Sequence, residues 1–214
     1  MAVSWNPADK NVGITLSGTG NLTAAGSGAT AAWRSVRSTP SFTAGKIYAE
    51  VTCGARDSAK GFMFGLMNAT ASLASFAGSD ANGVGFQTDG GIWKTGSNLV
   101  VGTDLNGYLV GTTAGVAVDV AAKKIWFYSP QNSLWNNGAI GAQNPATGTG
   151  GFDITSLGAT LYYGFSAYNS GTGTDTGTLN TGATTFARTP PAGFTGIDGS
   201  GGGATVQARA MVLA

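Results

Sequence analysis

The 214-residue chain is 42% hydrophobic, enough for a sizeable core, yet only 10% charged, well below the roughly 25% of an average protein. Its net charge of +1 is scattered and forms no basic stripe to follow a phosphate backbone, which argues against a nucleic-acid partner. The absence of histidine removes the commonest general base and most zinc sites, and the single cysteine, Cys53, rules out an internal disulfide or a thiolate cage.

Thirty-six glycines and a lone glutamate, Glu50, leave few good helix formers and many turn formers, so strands are expected throughout. Short strands are predicted at Val12 to Leu16 and Asn21 to Ala25, around Ser17-Gly18-Thr19-Gly20. Ala32 to Arg37 follows, with Trp33 as a core anchor. Lys46 to Cys53 alternates, setting Ile47, Ala49, Val51 and the Cys53 thiol on one face and Lys46, Tyr48, Glu50 and Thr52 on the other. Gly54 to Lys60 is a charged loop. Gly61 to Met67 is almost continuously apolar, as a strand covered on both faces would be.

Asn68 to Asn82 is a longer excursion holding Leu73 and Phe76. Gly83 to Gln87 and Gly91 to Thr95 form a hairpin about Thr88-Asp89-Gly90. Gly96 to Gly107 is loop, with one short strand expected at Leu99 to Val101. The organising stretch is Gly115 to Tyr128. Val116, Val118 and Val120 alternate with Ala117 and Asp119, and Ile125 and Phe127 alternate with Trp126 and Tyr128. The link Ala121-Ala122-Lys123 is too short for a crossover helix, so two adjacent antiparallel strands are predicted. Ser129 to Phe152 is a long loop carrying Trp135. Leu161 to Tyr168 and Thr178 to Gly182 are the last strands of the body. Residues 198–203 are a glycine-rich linker, and residues 204–214 read as one more strand or an attachment tail, pairing with its own sheet or with a neighbour's.

The order of these pieces resembles the SPRY family, in the form found in bacteriophage and gene-transfer-particle proteins. The matching residues are Gly45-Lys46-Ile47-Tyr48-Ala49-Glu50-Val51; Phe64-Gly65-Leu66 with Asn68 to Leu73; Gly78 to Phe86; the organising hairpin; Asn144 to Gly151; Leu161-Tyr162; and Thr189 to Phe194. Trp5-Asn6-Pro7 and Ile14 to Ser17 resemble the phage form. Thr112, where the family often has Asp, and Gly164-Phe165, where Pro-aromatic is usual, depart from it. The resemblance covers roughly residues 3 to 197. It implies an all-β fold, a two-sheet antiparallel β-sandwich of the concanavalin-like, jelly-roll kind. It also implies partner binding by loops at one edge, at positions corresponding to Arg56 to Lys60, Phe76, and Tyr168-Asn169.

A catalytic reading finds little support. Glycosidases of this architecture need two nearby carboxyl groups, and Glu50 has only Asp57, seven residues on and in a loop. Asp80-Ala81-Asn82-Gly83 offers oxygens at alternate positions but reads as a turn, with Asn and Gly at positive φ, and not as a calcium loop. The expectation is therefore a non-enzymatic protein without cofactor or metal, a structural and binding component of a phage-like virion. It would contact other virion proteins, in part through residues 204–214, and form a homo-oligomer. No 18-residue apolar run suggests a membrane span, and the first residues do not resemble a signal peptide. Candidate binding residues are Arg56, Asp57, Lys60, Phe76, Trp135, Tyr168 and Asn169. In a lectin-like alternative Phe76, Trp135 and Tyr168 stack on host polysaccharide while Asp57 and Asn169 bind hydroxyls. A cytosolic peptide-binding adaptor is the third reading.

Overall fold

The computed structural model describes residues 2–26, 30–57, 60–100, 107–138, 141–169 and 173–199. Among them the strands are β1 (Ser4–Lys10), β2 (Ile14–Ser17), β3 (Thr23–Gly26), β4 (Ala32–Thr39), β5 (Lys46–Ala55), β6 (Phe62–Met67), β7 (Gly83–Gln87), β8 (Ile92–Lys94), β9 (Ser97–Asn98), β10 (Thr113–Asp119), β11 (Lys124–Ser129), β12 (Leu134–Trp135), β13 (Phe152–Asp153), β14 (Tyr162–Asn169) and β15 (Thr176–Asn180). They form two antiparallel sheets. Sheet A runs β1-β4-β14-β6-β7-β8-β9, and sheet B runs β12-β11-β10-β5-β15-β3-β2, with β13 pairing β11.

The predicted central hairpin lies within sheet B. Val116 faces Phe127 and Val118 faces Ile125 across β10 and β11, and all four side chains enter the core between the sheets. Period-two alternation decides which residues join them. From β5 come Ile47, Ala49, Val51 and Cys53. From sheet A come Val36, Phe62, Phe64, Leu66, Val84, Phe86, Tyr163 and Phe165. Burial holds the Cys53 thiol up at about 11, so it behaves as a small hydrophobe.

Several boundaries differ from expectation. β1 was not anticipated, because Pro7 cannot donate to a ladder. It is tolerated here because β1 is the edge of sheet A, paired only with β4 and irregular in register between Trp5 and Lys10. Val12 is not in a strand: it projects from the turn before β2 and is 93% exposed. Leu99 and Val100 follow β9 instead of forming a strand of their own; Val101 lies outside the described residues. Asn82 and Gly83 do not take positive φ; the turn is made by Asp80 Oδ1, which accepts the Asn82 N–H at 2.8 Å. The packed body extends one residue into the glycine linker, since the Asp198 carboxylate accepts the Val3 N–H and the Thr181 hydroxyl. The expected strand or tail at residues 204–214 lies outside the described residues.

The second face of sheet B is not solvent-exposed as simple alternation implies. Tyr48, Ala117 and Trp126 point away from the main core but are buried beneath Phe186 and Phe194. Segment 181–198 forms this roof. Glu50 anchors it: Oε2 accepts the Ala187 N–H, and Oε1 accepts the Arg188 N–H and the Tyr48 hydroxyl, at 2.8–2.9 Å. Burial and the Glu50 carboxylate together push the Tyr48 phenol well above its ordinary range. At the other end of the roof, Gly151 crosses Trp126 so closely that a Cβ would lie 2.6 Å from the indole, and the indole N–H donates to the Thr149 carbonyl.

Candidate functional site: an aromatic cleft on sheet A

The outer face of sheet A is covered in part by the excursion between β6 and β7. Ser35 on β4 and Ser166 on β14 lie opposite each other, fully buried, and hydrogen-bond at 2.7 Å. Ser35 Oγ also donates to the Ser75 carbonyl, and Ser166 Oγ accepts the Ala77 N–H at 3.0 Å. The two hydroxyls thus fix the backbone on both sides of Phe76. Gly85 permits this approach, since a Cβ there would sit 2.5 Å from the Ala77 carbonyl oxygen.

Pinned in this way, the Phe76 ring lies between two tryptophans. Its centroid is 5.2 Å from Trp33 at 51° and 5.8 Å from Trp93 at 81°. Trp33 in turn meets Tyr168 edge-on, at 5.3 Å and 63°. Together with Lys60, Met63, Gln87 and Asp89, the two tryptophans and Phe76 line a cleft of ≈ 300 Å³. Lys60 Nζ stands 4.5 Å over the Tyr168 ring. The backbone of Lys60 is held from below, because Gln87 Nε2 donates to its carbonyl at 2.9 Å, and the Tyr168 N–H donates to Gly61. Asp89 turns the β7–β8 loop by accepting the Gly91 N–H at 2.9 Å. The Trp93 indole nitrogen is buried without a hydrogen-bond partner among the described residues.

Of the seven candidates, the structure brings Lys60, Phe76 and Tyr168 together. Arg56 is next door: it lines an adjoining cleft of ≈ 320 Å³ that shares Asp89 with the first, and its guanidinium donates to the Thr88 carbonyl at 3.3 Å. Asp57 follows Arg56, with its N–H bonded to Asp175. Asn169 ends β14 opposite Ala32 and is placed by its backbone alone. Trp135 does not join them. It is on β12 at the edge of sheet B, packed at 5.5 Å against Tyr128, whose ring also carries the Arg188 guanidinium at 3.6 Å.

Sequence reasoning missed Trp33, Met63, Gln87, Asp89 and Trp93 as site residues. Trp33 was expected in the core and is instead half-buried on the outer face. The signal was its parity: Val36 enters the core, so residues an odd number of positions away face outward. Among the described residues no group of three or more Cys, Asp or Glu is placed to hold a metal ion. The oxygens of Asp80 and Asn82 are engaged locally, the latter with Asn68 and Thr70.

No protein-family model matches the sequence, and no curated protein matches it. Solved structures do. The SPRY domain of human HERC1 aligns with a TM-score of 0.58 at 10% identity, over 82% of this chain and 96% of that one. The PSpry domain of TRIM65 gives 0.57 at 19% identity, over 84% and 92%. Stonustoxin gives 0.55 at 16% identity over 84% of this chain but only 27% of its own. At these identities the likeness is one of architecture: the two antiparallel sheets described above have the SPRY fold.

Proposed function

We propose that the protein is a non-catalytic binding module whose partner, a segment of another protein, inserts a side chain into the aromatic cleft of sheet A. The observation that carries this reading is the arrangement of Trp33, Phe76 and Trp93 around a ≈ 300 Å³ space with one cation and one carboxylate at its rim. Aromatic walls with few polar groups suit an apolar anchor, and Trp and Tyr dominate binding hot spots. The steep angles of 51° and 81° between neighbouring rings give a slot, not the flat platform on which a sugar ring stacks. Lys60 covers one side of Tyr168, which further disfavours sugar stacking there.

The setting we propose is a phage-like particle, with the domain as a decoration, fibre or tail-associated component. This rests on the phage-type sequence pattern alone. Two experiments test the proposals separately. A displayed library of random peptides selected on the immobilised protein should yield sequences with an apolar or aromatic anchor that lose binding to Phe76→Ala. Equal enrichment on wild type and Phe76→Ala would overturn the cleft, and strong hits on a glycan array that vanish with the same substitution would replace a protein partner by a saccharide. Mass spectrometry of purified particles should find the chain; its absence would remove the virion setting.

A further inference from the structure

The aromatic cleft does not end at Asp89. Across that residue, the adjoining hollow of ≈ 320 Å³ is lined by Tyr108 and Leu109. Tyr108 is fully buried: its ring packs on Phe62 and Phe86, at 5.3 and 5.2 Å, and its hydroxyl donates to the Phe86 carbonyl at 3.0 Å. The next two side chains turn outward. Leu109 and Val110 are 51% and 58% exposed, two of the four exposed large hydrophobics among the described residues. The turn that presents them is fixed. Thr112 Oγ1 accepts the Leu109 N–H at 2.9 Å and donates to the Leu109 carbonyl at 2.7 Å, which the Thr112 N–H also reaches at 2.9 Å. Gly111 takes a φ of 82° and donates its N–H to the Cys53 carbonyl at 2.8 Å, tying the turn to β5. On the other side, the Tyr108 N–H donates to the Thr88 carbonyl at 3.2 Å. Single exposed apolar residues are ordinary, but an adjacent pair on fixed backbone, opening onto a cleft, is not scattered in this way.

We propose that Leu109 and Val110 form a second subsite for the same partner segment, an extended peptide of the pattern apolar-any-apolar, given that the aromatic cleft takes a peptide anchor as proposed above. Hollows of ≈ 300 and ≈ 320 Å³ that meet at one residue have centres about 8 Å apart, close to the about 6.6 Å between side chains i and i+2 of an extended chain. Alternation sends both of those side chains to the protein and the residue between them to solvent. The first fills the space among Trp33, Phe76 and Trp93. The second lies across Asp89 and covers Leu109 and Val110. Because the turn is ordered before binding, the partner does not have to supply the entropy of ordering it. A short segment fits this surface better than a second copy of the chain, since two side chains are a small part of the about 800 Å² per partner that a stable interface buries.

The test keeps the full chain. Random peptides are displayed and selected on it, and a selected sequence is resynthesised with a fluorophore for anisotropy. Two apolar positions separated by one residue are expected. Leu109→Ser plus Val110→Ser leaves the backbone bonds of the turn in place and should weaken this peptide about tenfold, and alanine at its second apolar position should weaken it as much. Combining the two changes should cost little more than either alone, because both remove the same contact. Phe76→Ala should weaken the peptide whichever second residue it carries. If Phe76→Ala weakens binding but Leu109→Ser plus Val110→Ser does not, or if the protein and peptide changes simply add, the cleft stands and the second subsite falls. If Phe76→Ala has no effect, or selection yields no binder, the cleft reading falls and the subsite with it. Sedimentation velocity supplies the last arm: a monomer is expected, and a dimer that dissociates on Leu109→Ser plus Val110→Ser would place a second copy on this surface and overturn the peptide subsite.

Discussion

Both sheets carry aromatic residues on the face turned away from the core, yet only one of those faces is a candidate site. On sheet B, Tyr48 and Trp126 are sealed under Phe186 and Phe194, and the polar groups introduced with them are paired through Glu50 and Thr149. On sheet A the excursion stops short. Phe76 is pinned, but the space beyond it, toward Lys60 and Asp89, is left open. Aromatic composition does not separate a second core from a binding surface. The reach of the covering segment does, together with whether every donor beneath it finds an acceptor.

This contrast can be broken at several points. The largest effect is expected beneath the complete roof. Trp126→Ala removes a fully buried indole and should cost about 3–5 kcal/mol in urea unfolding. A loss under 1 kcal/mol would mean that the roof is not packed in solution. Glu50→Gln keeps the shape but turns one acceptor into a donor facing N–H or O–H groups, and should cost about 1–3 kcal/mol. On the open side, Ser166→Ala strips the Ala77 N–H of its acceptor and Ser35 of one of its two partners. A similar loss of about 1–3 kcal/mol is expected, and the library-selected peptides should weaken as Phe76 is unpinned.

Alkali sharpens the comparison between core and cleft. The unfolded Cys53 thiol releases its proton near 9.0, whereas the buried thiol holds it to about 11. Across that window the unfolded chain binds fewer protons, so stability falls as pH rises. Tyr48, Tyr108 and Tyr163, all shifted upward by burial, extend the fall beyond 10. Urea midpoints for Cys53→Ser should therefore decline less steeply between pH 9 and 11 than those of wild type; parallel declines would refute the assignment. The smallest stability effect is expected at the rim, where Lys60→Met should stay within about 0.5 kcal/mol of wild type. The same substitution should nevertheless alter which peptides bind, as repeating the library selection on the variant would show.

The core of this fold could be read directly from the chain because alternation assigns faces. The hairpin of Val116, Val118, Ile125 and Phe127, the all-buried Phe62–Met67 strand and the buried thiol follow from period two and apolar runs. Alternation does not say what covers a face. Hence Tyr48 and Glu50, which look solvent-facing in the sequence, are buried under a segment more than 130 residues later in the chain. The same gap hid the site. Trp33 and Trp93 come from strands at separate places in the sheet, and they join one cleft because Ser35 and Ser166 hold Phe76 down between them. Trp135 was selected because it lies in a loop, but loop position alone does not bring it to the cleft on the other sheet.

The Asp198 clamp on Val3 also has a mechanical consequence. Strand β1 begins one residue after Val3, and the roof over sheet B ends at Asp198, so both elements terminate at the same corner. Tension applied between these two points would not stretch the sandwich along its strands. It would first load the few bonds of the clamp and then peel β1 from β4 and lift the roof off its Glu50 anchor, leaving the central ladders of both sheets out of the line of pull.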